Sequence, residues 1–147
     1  MADRKPMPFR AHLAVRFGDI DEAGFVYYPR LVHYFHVAME EFFAHVLGVD
    51  YPTFLAEHRL GLPTAHLEVD FHRPLHYGDH LEIEVAIDKV GQTSIGWRYQ
   101  IFRPDEKEPA TEAHIVTVNM DMDTLEKKEI PEWLRKQLED YRDQADK

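Results

Sequence analysis

The chain has 147 residues, no cysteine and a formal net charge of −10, a length that suits one domain burying roughly two thirds of its unfolded surface. The missing cysteines exclude disulfides, thiolate metal sites and a cysteine nucleophile, and make a reducing compartment, the cytoplasm, the expectation. The acidic balance argues against a nucleic-acid groove, which needs clustered Lys and Arg, but leaves room for a small anionic ligand held by a few local cations or a helix N-terminus.

The opening MADRKPMPFRAH has basic residues without an apolar core. No run of about 18 apolar residues follows, so neither a secretion signal nor a membrane span is expected. Residues 1–9 read as an N-terminal extension. Residues 12–17 then alternate, Leu13, Val15 and Phe17 against His12, Ala14 and Arg16, which is the period of a half-buried strand. From Pro29 the period changes: Leu31, Phe35, Ala38, Phe42 and Val46 recur at spacings of four, three, four and four. That stripe predicts a helix of about five turns. Pro29 suits its first turn, where an N–H would have no intrahelical partner, and Gly48 can end it with a positive φ. Residues 52–58 predict a short helix opened by Pro52.

The remainder reads mostly as strand. Residues 65–73 set Leu67, Val69 and Phe71 against His66, Glu68 and Asp70, and residues 81–90 set Ile83, Val85 and Ile87 against Glu82, Glu84 and Asp88. After the turn at Gly91-Gln92, residues 94–103 put Ile95, Trp97, Tyr99 and Ile101 on one face. Residues 110–122 then place Val116, Val118, Met120 and Met122 in register. Short connections between such strands predict an antiparallel meander. The tail 131–147 carries Trp133, Leu134, Leu138 and Tyr141 at near-helical spacing, with a frayed, solvated end. No repeat or long linker interrupts the chain, so 1–147 is taken as one domain. One strand, one long helix and a four-stranded meander bury the helical stripe only if the sheet curls around it. The expected fold class is therefore α+β, with the helix in the concave face.

Between the first strand and the helix stands FGDIDEAGFVYYPR, residues 17–30, and further on HLEVDFHRPLHYGDHLEIEV, residues 66–85. The first stretch resembles the signature of the 4-hydroxybenzoyl-CoA thioesterase branch of hot-dog acyl-CoA thioesterases, and the second fits the same pattern, so the resemblance spans most of residues 10–122. It implies a hot-dog fold and hydrolysis of an acyl-CoA, with CoA as part of the substrate and no separate cofactor. It implies Asp21 as the catalytic carboxylate, the backbone amide of Tyr28 as polariser of the thioester carbonyl, and a homodimer or homotetramer as the assembly.

The residue types suit that chemistry. Thioester hydrolysis needs a general base for water or a carboxylate that attacks the carbonyl, and an acid in an apolar loop can serve as either. A helix N-terminus supplies free N–H groups and a positive dipole end for the developing oxyanion. Because Pro29 has no N–H, the nearest such donor is the amide of Tyr28. Gly24 allows the loop to turn sharply. Asp19, by contrast, has the ordinary role of a turn or capping acid. Phe25, Pro29 and His66 are candidates for substrate contact. Some members of the branch carry an Arg and Lys cluster that holds the CoA phosphates, where this chain reads DKVGQTS, so Lys89, Arg98 or Arg103 are left for that task. The acyl group is expected to be aromatic, with short or medium aliphatic chains as the rival.

The histidines do not assemble a metal site. His72, His76 and His80 are four apart, but Pro74 and Gly78 between them remove the helix that would stack them, and His33 and His36 lack a third ligand. Hydratases of this fold resemble Asp, any residue, Asn, Pro, any residue, His. Five residues on from Asp19 and Asp21 stand Gly24 and Val26, so the histidine is missing and hydration is disfavoured. A non-catalytic ligand-binding protein of the same fold is the remaining alternative.

Overall fold

In the computed structural model, which describes residues 8–146, β1 (Arg10–Ala14) is followed by α1 (Tyr28–Phe42), prolonged by a π-helical turn (Phe43–Leu47), and by α2 (Tyr51–Ala56). Then come β2 (Leu60–Gly61), β3 (Thr64–Phe71), β4 (His80–Val90), β5 (Ser94–Phe102), β6 (Thr111–Val118), β7 (Met120–Asp121) and α3 (Glu132–Ala145). The expected extension 1–9 lies almost wholly outside the described residues. The main sheet is antiparallel in the order β1-β4-β5-β6-β3, and β2 pairs with β7 apart from it.

The long helix lies in the concave face of this sheet, as expected. Its buried stripe includes Leu31, Tyr34, Phe35, Ala38, Met39 and Phe42. Phe35 meets Tyr99 at 5.5 Å and Phe42 meets Trp97 edge-on at 5.6 Å between ring centroids, a favoured geometry for aromatic pairs. The inward residues of β4 and β5, Ile83, Val85, Ile87, Ile95, Trp97, Tyr99 and Ile101, are all buried. Gly48 ends the helix at φ 73°. The π turn changes the stripe near that end: after Phe42 the next buried positions are Phe43 and Leu47, while Val46 is only half-buried. A wider turn needs five residues to bring the same face round, so Leu47 takes the place expected of Val46.

Three expectations are corrected. The first strand runs two residues earlier than 12–17, and Phe17 leaves its face: it stands 72% exposed in a 3-10 turn, Phe17–Asp19. The meander has three strands, not four, because β3 pairs with β6 on the far edge and β4 pairs with β1. Residues 110–122 do not form one strand with Val116 and Val118 inward. The buried positions are Thr111, Ala113, Ile115, Thr117 and Asn119, and the strand breaks at Asn119 before β7. Polar residues face inward there because each of two has partners. The Trp97 indole donates to Thr117 Oγ1 at 2.9 Å, and the Asn119 amide donates to the carbonyls of Lys128 and Glu129 at 3.1 Å each. The tail is a helix through to Ala145, docked by Leu134, Leu138 and Tyr141. The Tyr141 ring packs on Phe42 at 4.8 Å, while its hydroxyl accepts the Phe9 N–H and donates to the Val85 carbonyl. Burial pushes that hydroxyl up to about 12.

Candidate active site

The chain between β1 and α1 folds back on itself. The Asp21 N–H donates to the Phe25 carbonyl at 3.1 Å and the Gly24 N–H to the Asp21 carbonyl at 3.0 Å, closing a tight turn. Gly24 has φ 93°, and a Cβ built on it would meet nothing within 4 Å. The requirement for glycine is thus conformational rather than one of space. Beyond this turn, Val26 donates to the Leu75 carbonyl at 2.8 Å and Phe25 bridges to His76. Those bonds seat the connection between β3 and β4 against the loop.

A cavity of about 430 Å³ opens between these segments, lined by Asp21, Phe25, Val26, Tyr28 and Leu31 on one side and by Phe71, His72, Arg73, Pro74 and Leu75 on the other. The size is in the usual range for a small-molecule site, roughly 300–1,000 Å³, and the mostly apolar wall with a few polar groups is also usual. Asp21 is half-buried. One of its carboxylate oxygens accepts the Ala23 N–H at 2.9 Å, and the other makes no hydrogen bond among the described residues. Tyr28 is the first residue of α1. In that first turn the amides of Arg30 and Leu31 both donate to the Tyr27 carbonyl, Pro29 has no N–H, and the Tyr28 N–H has no acceptor among the described residues. An acid with one oxygen unbonded and a helix-terminal residue whose N–H has no acceptor among the described residues therefore line one cavity.

Asp19 differs from Asp21. Its Oδ2 accepts the Arg16 N–H at 3.2 Å and the Tyr34 hydroxyl at 2.6 Å, and it is not part of the cavity wall. It is a turn acid, as expected, with a partner on α1 that the sequence does not reveal.

Of the other residues singled out from the sequence, Phe25 lines the cavity, Gly24 makes the turn behind it, and Pro29 sits exposed in the first turn of α1 outside the wall. His66 lies on the outer face of β3, with its imidazole 3.0 Å from Glu68, and is not part of the wall. Lys89 and Arg98 are exposed on β4 and β5 and make no ion pair among the described residues; neither reaches the cavity. Arg103 stands 3.9 Å from Asp79 and 3.7 Å from Glu106. Among the histidines, His72 pairs with Glu112 at 2.9 Å and His36 with Glu40 at 3.0 Å. No group of three or more His, Asp or Glu side chains placed to hold a metal occurs among the described residues. Nor does any described helix have the length and apolar character to cross a membrane.

The wall from Phe71 to Leu75 was legible only as part of a motif. Nothing in the spacing of FHRPL says that it turns toward Asp21, because the contact depends on long-range backbone pairing of Phe25 and Val26 with Leu75 and His76.

A model of the thioesterase-like superfamily matches residues 15–138. A 1,4-dihydroxy-2-naphthoyl-CoA hydrolase of Synechococcus elongatus is 31% identical over 85% of this chain and 90% of its own length. A solved gentisyl-coenzyme A thioesterase is 25% identical with a TM-score of 0.77, covering 86% of this chain and 99% of that one. A solved 1,4-dihydroxy-2-naphthoyl-CoA thioesterase from Synechocystis superposes with a TM-score of 0.80 at 22% identity, covering 90% of this chain and 96% of that one, a likeness of fold.

Proposed function

From its membership of the thioesterase-like superfamily, whose hot-dog fold and acyl-CoA thioester hydrolysis the chain shares, we propose that it acts on an aromatic acyl-CoA, with Asp21 and the Tyr28 amide as its reacting groups. The observation that supports this reading is the shared cavity: Asp21, with one oxygen unbonded, and Tyr28, whose N–H has no acceptor among the described residues, line a space otherwise walled largely by Phe25, Val26, Leu31, Phe71 and Leu75.

The chemistry follows from those positions. The thioester carbonyl oxygen rests on the Tyr28 N–H, which strengthens as negative charge develops because the helix dipole already points that way. The Asp21 carboxylate takes a proton from a water molecule whose oxygen attacks the carbonyl carbon, or attacks that carbon itself to give an anhydride that water then opens. Either route breaks the carbon–sulfur bond and releases the CoA thiolate, which takes up a proton. The aromatic side chains Phe25, Tyr28 and Phe71 favour a flat acyl group, as the substrates named for the relatives do. The active unit is proposed to be a homodimer, joined through the free edge of β3.

A panel of benzoyl, hydroxybenzoyl and dihydroxynaphthoyl CoA thioesters beside acetyl, hexanoyl and decanoyl CoA, followed by release of free thiol, tests the substrate class. The expected result is a kcat/KM at least about tenfold higher for the aromatic set, the scale of one to two kcal/mol of pocket discrimination. Equal or higher values for the aliphatic set reject the aromatic assignment, and no hydrolysis of any member favours the ligand-binding alternative.

A further inference from the structure

Tyr34 is buried within α1, 3% exposed, and its hydroxyl donates to Asp19 Oδ2 at 2.6 Å. The same oxygen holds the Arg16 N–H at 3.2 Å, and the Asp19 carbonyl accepts the Tyr27 N–H at 2.8 Å. Asp19 thus fastens together the start of the 3-10 turn, the cap of α1 and a point further along the same helix. Asp21 follows Asp19 by two residues, and Tyr28 follows Tyr27 by one. Both proposed reacting groups therefore hang within two residues of one hydrogen-bonded knot.

Resting on the reading of Asp21 and Tyr28 given above, we infer that Tyr34 is a positioning residue for thioester hydrolysis, its bond to Asp19 holding the Asp21 carboxylate and the Tyr28 amide at a fixed separation. The reaction needs that separation fixed. The carbonyl oxygen must stay on the amide while the carbon is reached by the carboxylate or its water, so a loop that drifts from the helix satisfies one contact at the expense of the other. A misplacement of about 1 Å is worth about a hundredfold in rate. The backbone bonds of the loop, Asp21 to Phe25 and Tyr27 to Asp19, reach only as far as the helix cap, and helix ends are the part that frays most readily. Tyr34 carries the attachment into the packed body of α1, beside Phe35 and its contact with Tyr99. Burial first, and then the bond to Asp19, push the Tyr34 hydroxyl far above the ordinary tyrosine range, so it stays a proton donor wherever the carboxylates are ionised.

The test compares Tyr34→Phe, Asp19→Ala, Asp19→Asn, the Tyr34→Phe/Asp19→Ala double variant and Asp21→Asn, each assayed at a temperature where circular dichroism finds it fully folded. Tyr34→Phe deletes one oxygen and keeps the ring, so its fold is not at risk and its result decides even where Asp19→Ala does not fold. The expected outcome is a kcat lowered about tenfold or more with KM held within about twofold. The double variant is expected to be no slower than Asp19→Ala alone, since the two side chains act as one tie. Asp19→Asn, which keeps an acceptor for the hydroxyl, should recover most of the kcat that Asp19→Ala loses. A residue that merely stabilises the fold would lower the melting temperature and leave kcat of the folded protein alone. Wild-type kcat in Tyr34→Phe, a rise in KM with kcat kept, or losses that multiply in the double variant overturn the inference. Asp21→Asn separates the two levels: an active Asp21→Asn rejects the site itself, whereas an inactive one beside a fully active Tyr34→Phe rejects only the tie.

Discussion

The Leu75 carbonyl accepts the Val26 N–H at 2.8 Å, and through that bond the connection after β3 becomes one wall of the cavity whose other wall bears Asp21. Segments distant in the chain thus line one candidate site, with the half-buried Asp21 at its border. Replacing Asp21 by Asn keeps the shape of the side chain and an acceptor for the Ala23 N–H, but removes the proposed base or nucleophile. A loss of about three or more orders of magnitude in kcat is expected, with binding of a non-hydrolysable acyl-CoA analogue retained. Asp19→Asn, whose oxygen still accepts from Tyr34, should cost about tenfold or less. Wild-type turnover by Asp21→Asn would reject the assignment.

A second expectation concerns metals. The proposed mechanism uses a carboxylate and a helix-terminal amide, and the described histidines near the cavity are engaged with carboxylates, His72 with Glu112 and His76 beside Asp79. Dialysis against a strong chelator should leave kcat and KM unchanged. Activity that vanishes and returns on adding zinc or manganese would overturn the mechanism.

How much of this was legible in the sequence depends on which forces set each element. The helix from Pro29 to Gly48 and the inward faces of β4 and β5 were readable because burial of a single apolar stripe dictates their period. The phase of β6 was not, because Thr117 and Asn119 face inward for hydrogen bonds that only the folded neighbours Trp97, Lys128 and Glu129 supply. The pairing of β3 with β6 is a choice among strand orders that alternation does not encode. In the candidate site, the proposal of the Asp21 loop and the Tyr28 amide came from a local motif. The Phe71–Leu75 wall and the Tyr34 bond to Asp19 did not, since both are contacts between segments whose own patterns are unremarkable.

The third expectation is alkaline sensitivity. Burial raises the Tyr34, Tyr99 and Tyr141 hydroxyls above the ordinary tyrosine value, Tyr141 to about 12. The folded state therefore binds these protons more tightly than the unfolded state does. Stability is fully present below about pH 10, where tyrosine in the unfolded chain starts to ionise, and falls as pH rises through 10 toward the folded values. Denaturant midpoints measured from pH 8 to 12 should be level at first and then decline. Tyr141→Phe should make that decline shallower. At neutral pH the same change should lower stability by about 1–3 kcal/mol, because the Phe9 N–H loses its acceptor and the Val85 carbonyl its donor. Midpoints that stay level to pH 12, or a Tyr141→Phe variant as stable as the parent, would contradict this.

The last expectation is a dimer. β3 is an outer strand of the main sheet, paired on one side with β6 and free on the other, and a free edge offers unpaired backbone groups to a second strand. Its concave-face residues Leu67 and Phe71 remain 43% and 53% exposed, because α1 packs over β1, β4 and β5, toward the opposite edge of the sheet. In a monomer that leaves apolar surface in water beside an open strand edge. A second copy adding its own β3 in antiparallel fashion would continue the sheet, cover both residues by twofold symmetry and place its surface against the cavity of which Phe71 is part. Light scattering with size-exclusion chromatography should therefore give at least about twice the 17.3 kDa chain mass. Leu67→Lys, at a position already exposed in one chain, should leave the fold intact, drive the protein toward monomer and lower activity in step with the loss of dimer. A fully active species of 17.3 kDa at assay concentration would reject both the dimer and the shared site.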